Sequence, residues 1–126
     1  AHILSLSTAI NEVYDPATDG WKAMTKMPFA TSGQGWTTFQ GRIIVAGGEL
    51  RDSHMDAVFK DVAVFDPAIN DWYRLPEMPT ARHGVVLAAL GNRLHAVGGH
   101  TGFNGNGGAT LHTAVNEVFE FGAGAK

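Results

Sequence analysis

The sequence predicts an all-β protein made of tandem copies of a four-stranded antiparallel unit. Three observations carry this. A pattern recurs at an offset of 51 residues, the separation of Asp15 from Asp66. Short apolar runs alternate with Gly, Pro, Asn and Asp turn signals, as strands do. Apolar spacing at i, i+3, i+4 is nowhere sustained, and 16 Gly with 5 Pro would interrupt a helix if it were.

The repeat register is continuous. Tyr14-Asp15-Pro16 matches Phe65-Asp66-Pro67, Trp21 matches Trp72, Met27-Pro28 matches Met78-Pro79, Gly33 matches Gly84, Arg42 matches Arg93, and Gly47-Gly48 matches Gly98-Gly99. A third copy, Asn116-Glu117-Val118-Phe119-Glu120, echoes Asn11-Glu12-Val13-Tyr14-Asp15 and then stops, so the sequence begins and ends inside a repeat.

Each element follows in order. SGQGWTTFQ and HGVVLAALG are small or apolar along their length, as expected of innermost strands packed on both faces. GRIIVAGG and NRLHAVGG follow after tight turns at Gln40-Gly41 and Gly91-Asn92, each forming a hairpin with the strand before it. DVAVFDP is β-branched and aromatic and ends in Asp-Pro, which breaks a ladder and starts a turn. NDWYRLPEMP is a more polar outer strand bounded by Pro. The count is nine strands: two, then four, then three.

Composition narrows the function classes. Nine Lys and Arg against 12 Asp and Glu give a formal charge of −3, which argues against a nucleic-acid partner. Without Cys the chain has no disulfide, thiolate metal site or Cys nucleophile of its own. Apolar runs reach about eight residues, short of the ~20 needed for a membrane-spanning helix, so no membrane partner is expected. AHILSLSTAI lacks the basic n-region of a secretory leader.

The double Gly, the Tyr or Phe of a VYDP-like strand and the Trp six residues after its Asp together resemble the kelch motif. Here they are Gly47-Gly48, Phe65 and Trp72, with Tyr14 and Trp21 before them and Gly98-Gly99 and Phe119 after. The resemblance covers about residues 11 to 121. It implies kelch-type β-propeller blades, with an incomplete ring in one chain. In that reading residues 1–126 are a single kelch-repeat domain: 11–30 end one blade, 31–80 form a complete blade, and 81–121 start the next. Trp21 and Trp72 would each bury on the order of 200 Å² between blades. Family propellers usually have more blades, so either several chains self-associate to close the ring or further blades are missing. HILSLS, residues 2–7, is a candidate closing strand or the remnant of a lost second strand.

The resemblance also implies a ligand site where the loop before the innermost strand meets the loop after the double Gly, around the channel. Carried over by position, the candidates are Thr31, Ser32, Arg82 and His83 from the first loop and Glu49, Arg51 and His100 from the second. Arg82-His83 leads, because Arg forks to a carboxylate or carbonyl and His donates or accepts. The competing reading makes Arg82 structural, pairing with main-chain carbonyls near the channel. ELRDSHMDAVFK and HTGFNGNGGATLHTAV read as surface insertions after the Gly pairs.

Other chemistries fare worse. GFNGNGG lacks the Lys-Ser/Thr ending of a phosphate loop and does not fit a strand-to-helix GxGxxG. Six His invite a metal, with His83 and His100 facing each other and Asp52, His54 and Asp56 close together, yet no HxxxH or HExxH spacing occurs, and no metal or cofactor is expected. His95 reads as a strand residue, and Asp61, Asp66 and Asp71 as turn residues. A copper oxidase of the galactose-oxidase type needs a Cys-linked Tyr that is absent. No GxSxG elbow supports a serine nucleophile. The expected function is a non-catalytic kelch module binding a protein or carbohydrate ligand. The alternative is a kelch-type mutarotase or isomerase of a small acidic sugar, with Arg82 as clamp and His83 and Glu49 as acid and base.

Overall fold

The structure, a computed structural model, describes residues 7–51, 55–102 and 111–122. Among them are eleven strands and no helix: β1 (Glu12–Asp15), β2 (Gly20–Ala23), β3 (Gly35–Phe39), β4 (Arg42–Ala46), β5 (Glu49–Arg51), β6 (Asp56–Val58), β7 (Val62–Asp66), β8 (Asp71–Leu75), β9 (Val86–Leu90), β10 (Arg93–Val97) and β11 (Asn116–Glu120). They form an antiparallel pair β1-β2, a four-stranded sheet β3-β4-β7-β8, a three-stranded sheet β11-β10-β9 and a small hairpin β5-β6. The last is the difference from the nine strands expected. ELRDSHMDAVFK, read as an irregular insertion, pairs Glu49 with Val58 and Arg51 with Asp56. HILSLS and GFNGNGG lie outside the described residues except for Ser7 and Gly102.

Local chemistry sets the turns. Gln40 and Gly41 both take positive φ, 48° and 75°, the geometry of a two-residue hairpin loop. Asp15 and Asp66 accept the amides of Ala17 and Ala68 through their side chains, making Asx turns after which Asp19 and Asn70 turn left-handed. Arg42 also donates to Asp66 at 2.9 Å. That bond, with the Ala68 amide, holds the Asp66 carboxyl below its usual range.

The core lies in the seam between the four-stranded and three-stranded sheets. Ile44, Ala46, Val62 and Val64 face Leu87, Leu94 and Ala96, closed by Met78, Val85 and Phe121. Burying each larger aliphatic side chain there contributes roughly 1.5–3 kcal/mol. Gly35 lets β3 run directly against the start of β9, because a Cβ there would meet the Val85 carbonyl and the Leu87 side chain. Phe39 stacks on Phe121 with ring centroids 4.2 Å apart.

Two packing expectations change. The innermost strands are buried on one face only: Trp36 of β3 is 67% exposed, and Val86 and Leu90 of β9 are each 64% exposed. Each strand has a neighbouring sheet among the described residues only on the seam side. Trp72 bridges repeats as expected, half-buried with its Nε1 donating to the Thr25 carbonyl at 2.8 Å, whereas Trp21 is 71% exposed. No described sheet stands beyond the β1-β2 pair for Trp21 to cover.

Arg82 clamps the seam. It is fully buried; Nη1 donates to the carbonyls of Gly98 and Val115, each at 3.0 Å, and Nη2 to Ala96 O at 3.2 Å and Glu117 Oε2 at 2.8 Å. Thr80 Oγ1 donates to the other Glu117 oxygen at 2.6 Å. This ties the connection entering β9 to β10 and β11 at once. On the other side of the same connection, the Arg82 carbonyl accepts the Gly48 amide at 2.8 Å, and the Gly84 amide donates to Gly33 O at 2.7 Å. Gly48 has φ 105°, and a Cβ on it would collide with Thr31 Oγ1 and the Ser32 carbonyl.

Two predictions follow from this seam, both read from urea unfolding. Gly48→Ala should cost about 3 kcal/mol or more, from backbone strain and overpacking together. Gly41→Ala, also at positive φ but with nothing within 4 Å, should cost about 1–2 kcal/mol. Equal losses would remove the role given to close approach. Arg82→Ala should cost about 3–5 kcal/mol, because Glu117 loses its only cationic partner among the described residues and three carbonyls lose a charged donor. Arg82→Lys should recover little, since a point charge cannot reproduce the fork. A fully folded Arg82→Ala chain of unchanged midpoint would contradict this assignment.

Candidate functional site: a polar ladder at the loop end of the sheets

Beyond each double Gly the chain builds a second, smaller ladder. In the middle repeat the lanes are residues 31–32, β5 and β6, with Ser32 bridged to Glu49 and Glu49 paired with Val58. In the last repeat His83 is bridged to His100 and His100 to His112. Main-chain bonds fix both: Ser32 and Glu49 exchange N–H···O bonds of 3.0 and 2.8 Å, as do His83 and His100 at 3.0 and 2.9 Å. Phe59 and Thr113 return the third lanes through their amides to Gly48 O and Gly99 O, at 2.9 and 3.0 Å. The positive φ of each Gly pair, 66° and 105°, then 63° and 94°, turns the chain out of its blade strand into this ladder.

The side chains of the two ladders meet. Glu49 Oε2 lies 3.5 Å from His83 Nδ1. The His83 and His100 rings stack with centroids 5.0 Å apart and planes 23° off parallel; His112 lies next, 4.6 Å from His100 and tilted 53°. A carboxylate thus heads a row of three imidazoles. The hydroxyls of Ser7 and Ser32 both donate to the Glu49 carbonyl, at 3.1 and 3.3 Å, pinning the strand that carries the carboxylate. Nδ1 of His100 is enclosed without a hydrogen-bond partner among the described residues.

Of the residues expected from the sequence, Ser32, Glu49, His83 and His100 come together here. Thr31 does not join them: it is 2% exposed, and its hydroxyl donates to Gly47 O at 3.3 Å, beneath the double Gly. Arg51 lies on β5 opposite Asp56, and its side chain is outside the described residues. Arg82, expected to lead the site, is the seam clamp instead. Its guanidinium points into the protein, so the structural reading replaces the ligand-binding one. His112 was missed. Its signal was present, since it holds in the last repeat the place that Val58 holds in the middle one, but only the third lane of the ladder reveals that equivalence. Among the described residues no three His, Asp or Glu side chains form a group that could hold a metal ion.

Comparison with known proteins agrees with this architecture. A family model described as Kelch motif matches residues 31–79. Kelch-like protein 15 of Danio rerio is 35% identical over 81 residues, covering 63% of this chain and 13% of that protein. Kelch-like protein 40 is 28% identical over 109 residues in Xenopus tropicalis and 30% over 109 residues in Mus musculus, covering in each case 86% of this chain and 17% of the relative. The chain therefore spans under a fifth of the length of these relatives. The solved structure of YjhT superimposes with a TM-score of 0.60 at 20% identity, covering 78% of this chain and 36% of that one. The 51-residue repeat, its four-stranded sheet turning on a double Gly, and these matches agree: the chain belongs to the kelch-repeat family and forms part of a β-propeller.

Proposed function

We propose that this chain is an interaction module that binds a protein segment at the ladder end of its sheets, through Glu49, His83, His100 and His112, without catalysis. The single observation that supports the reading is the continuous row from carboxylate to third imidazole, built by two repeats together and held on main-chain bridges apart from the blade strands. Such a row offers an acceptor at one end and adaptable imidazole donors and acceptors along the rest, suited to main-chain and polar side-chain groups of a peptide. The protein relatives, named as Kelch-like proteins, lend the same direction.

The sugar-isomerising alternative asked Arg82 to clamp a substrate carboxylate. That guanidinium is committed to three carbonyls and Glu117, so Glu49 and His83 would have to act without it. The interaction reading needs no such group.

A tiled peptide array and a glycan array, both probed with the purified chain, separate the ligand classes. Peptide signals should fall about tenfold or more with His100→Ala and with Glu49→Ala, as for loss of a central polar contact, while the unfolding midpoint shifts little. Binding confined to glycans would move the reading to a carbohydrate ligand. Peptide binding indifferent to both substitutions would remove the ladder as the site.

A further inference from the structure

The strands β1 and β11 carry nearly the same sequence, Asn11-Glu12-Val13-Tyr14-Asp15 and Asn116-Glu117-Val118-Phe119-Glu120, yet they sit in opposite situations. β11 is docked on β10, with Phe119 opposite Leu94, Val118 opposite His95 and Glu117 opposite Ala96. Its Glu117 fills the socket formed by Thr80 and Arg82. The far edge of β11 pairs with no strand among the described residues. β1 has the complement of this arrangement: it is paired with β2, and no strand among the described residues lies on its other edge, where a β10-type strand would sit. Glu12 is exposed and makes no ion pair among the described residues, and Val13 and Tyr14 are 46% and 42% exposed. In the middle repeat the position of Glu117 is Ala63 and that of Arg82 is Thr31, so that repeat lacks both the acid and the arginine.

We propose that β1 of a second copy exchanges with β11, pairing with β10 and placing Glu12 in the Thr80–Arg82 socket. The product is a four-stranded sheet from two chains, β9-β10 of one and β1-β2 of the other. Trp21 already covers Tyr14 across β1-β2 at 5.3 Å, as Trp72 covers Phe65 at 5.1 Å in the complete sheet. The exchange also brings together the faces left bare. Trp36 and Ile43 correspond, at the 51-residue offset, to Leu87 and Leu94, and Val86, Leu90 and Val97 to Gly35, Phe39 and Ala46. Those are residues of the two sides of the intramolecular seam. The copies therefore meet through the same pair of faces that join the repeats within one chain. Val86 in place of Gly35 holds the inner strands of the new seam further apart. Because the two surfaces differ, the contact is head-to-tail and leads to a ring or to a chain of copies, not to a two-fold dimer.

Cross-linking in the Cys-free chain tests this directly. In the exchanged sheet residue 13 takes the place of Val118 opposite His95, a separation within disulfide range. The double variant Val13→Cys with His95→Cys should give disulfide-linked oligomers under mild oxidation, with the bond mapped between these two positions of different copies. Yield should rise with protein concentration and fall about tenfold or more when Glu12→Lys is added, since this puts a like charge against Arg82. Val118→Cys with His95→Cys should close within a single chain, reporting an intact β10-β11 pairing in the same background. Overturning results are a double variant that stays monomeric while the control closes, or one whose cross-linking is indifferent to Glu12→Lys.

Discussion

The structure depends on a buried guanidinium holding three main-chain carbonyls and a carboxylate at the junction of two repeats. A β-sheet blade has two faces to cover, and a single repeat cannot cover either one alone. The seam between the complete and the three-stranded sheets solves this for one face of each. Aliphatic burial supplies the drive, but it does not specify how deep the sheets interlock. Arg82 does that, because its guanidinium holds Ala96 of β10, Gly98, Val115 and the Glu117 of β11 while its own amide donates to Phe59 O of the complete repeat at 3.0 Å. The residue's own carbonyl meanwhile anchors the Gly48 amide of the preceding repeat. Architecture and site are thus joined at one connection, since His83 is the next residue along.

The site arises because the two copies of the repeat are unequal. At equivalent places the middle repeat has Thr31, Ser32, Glu49 and Val58, while the last has Arg82, His83, His100 and His112. The backbone ladder is common to both, so the substitutions change chemistry without changing geometry. One ladder ends in a carboxylate, its neighbour is all imidazole, and the row forms only because the repeats pack side by side. The contact between the first strand pair and the rest is of another kind. Thr25 donates two hydrogen bonds to Asn70, from its amide and its hydroxyl, and accepts one from Trp72, all in exposed positions, and the hydrophobic core includes no residue of β1 or β2. Weakly held and open-edged, that pair is the part of the chain best able to serve a second copy.

Much of this was legible in the sequence, because Gly, Pro, Asp and Trp mark backbone geometry and keep their places at a fixed offset. The sheet order, the Gly turns and the meeting of Ser32, Glu49, His83 and His100 follow from that register. What failed to show was whatever depends on neighbours. Arg82 looks the same in sequence whether its guanidinium faces a ligand or three carbonyls, and only the depth of the seam decides. Trp21 and Trp72 share a motif position, yet Trp72 reaches the neighbouring strand pair while Trp21 has no sheet beside it among the described residues. β5, β6 and His112 lie in stretches whose composition reads as loop, and they pair because the Gly pairs aim the chain back at lanes already ordered by the seam.

Amide hydrogen exchange tests the central claim most directly. If the Arg82 connection is where the fold is held, the amides of Gly48 and Gly84, which cross from repeat to repeat, should exchange only through global unfolding, with protection equal to that of the β4 and β10 core. The amides of β1 and β2 should exchange through local opening, at far lower protection. Comparable protection of β1-β2 and the two glycines, or rapid exchange at Gly48 and Gly84 while β4 and β10 stay protected, would contradict the account.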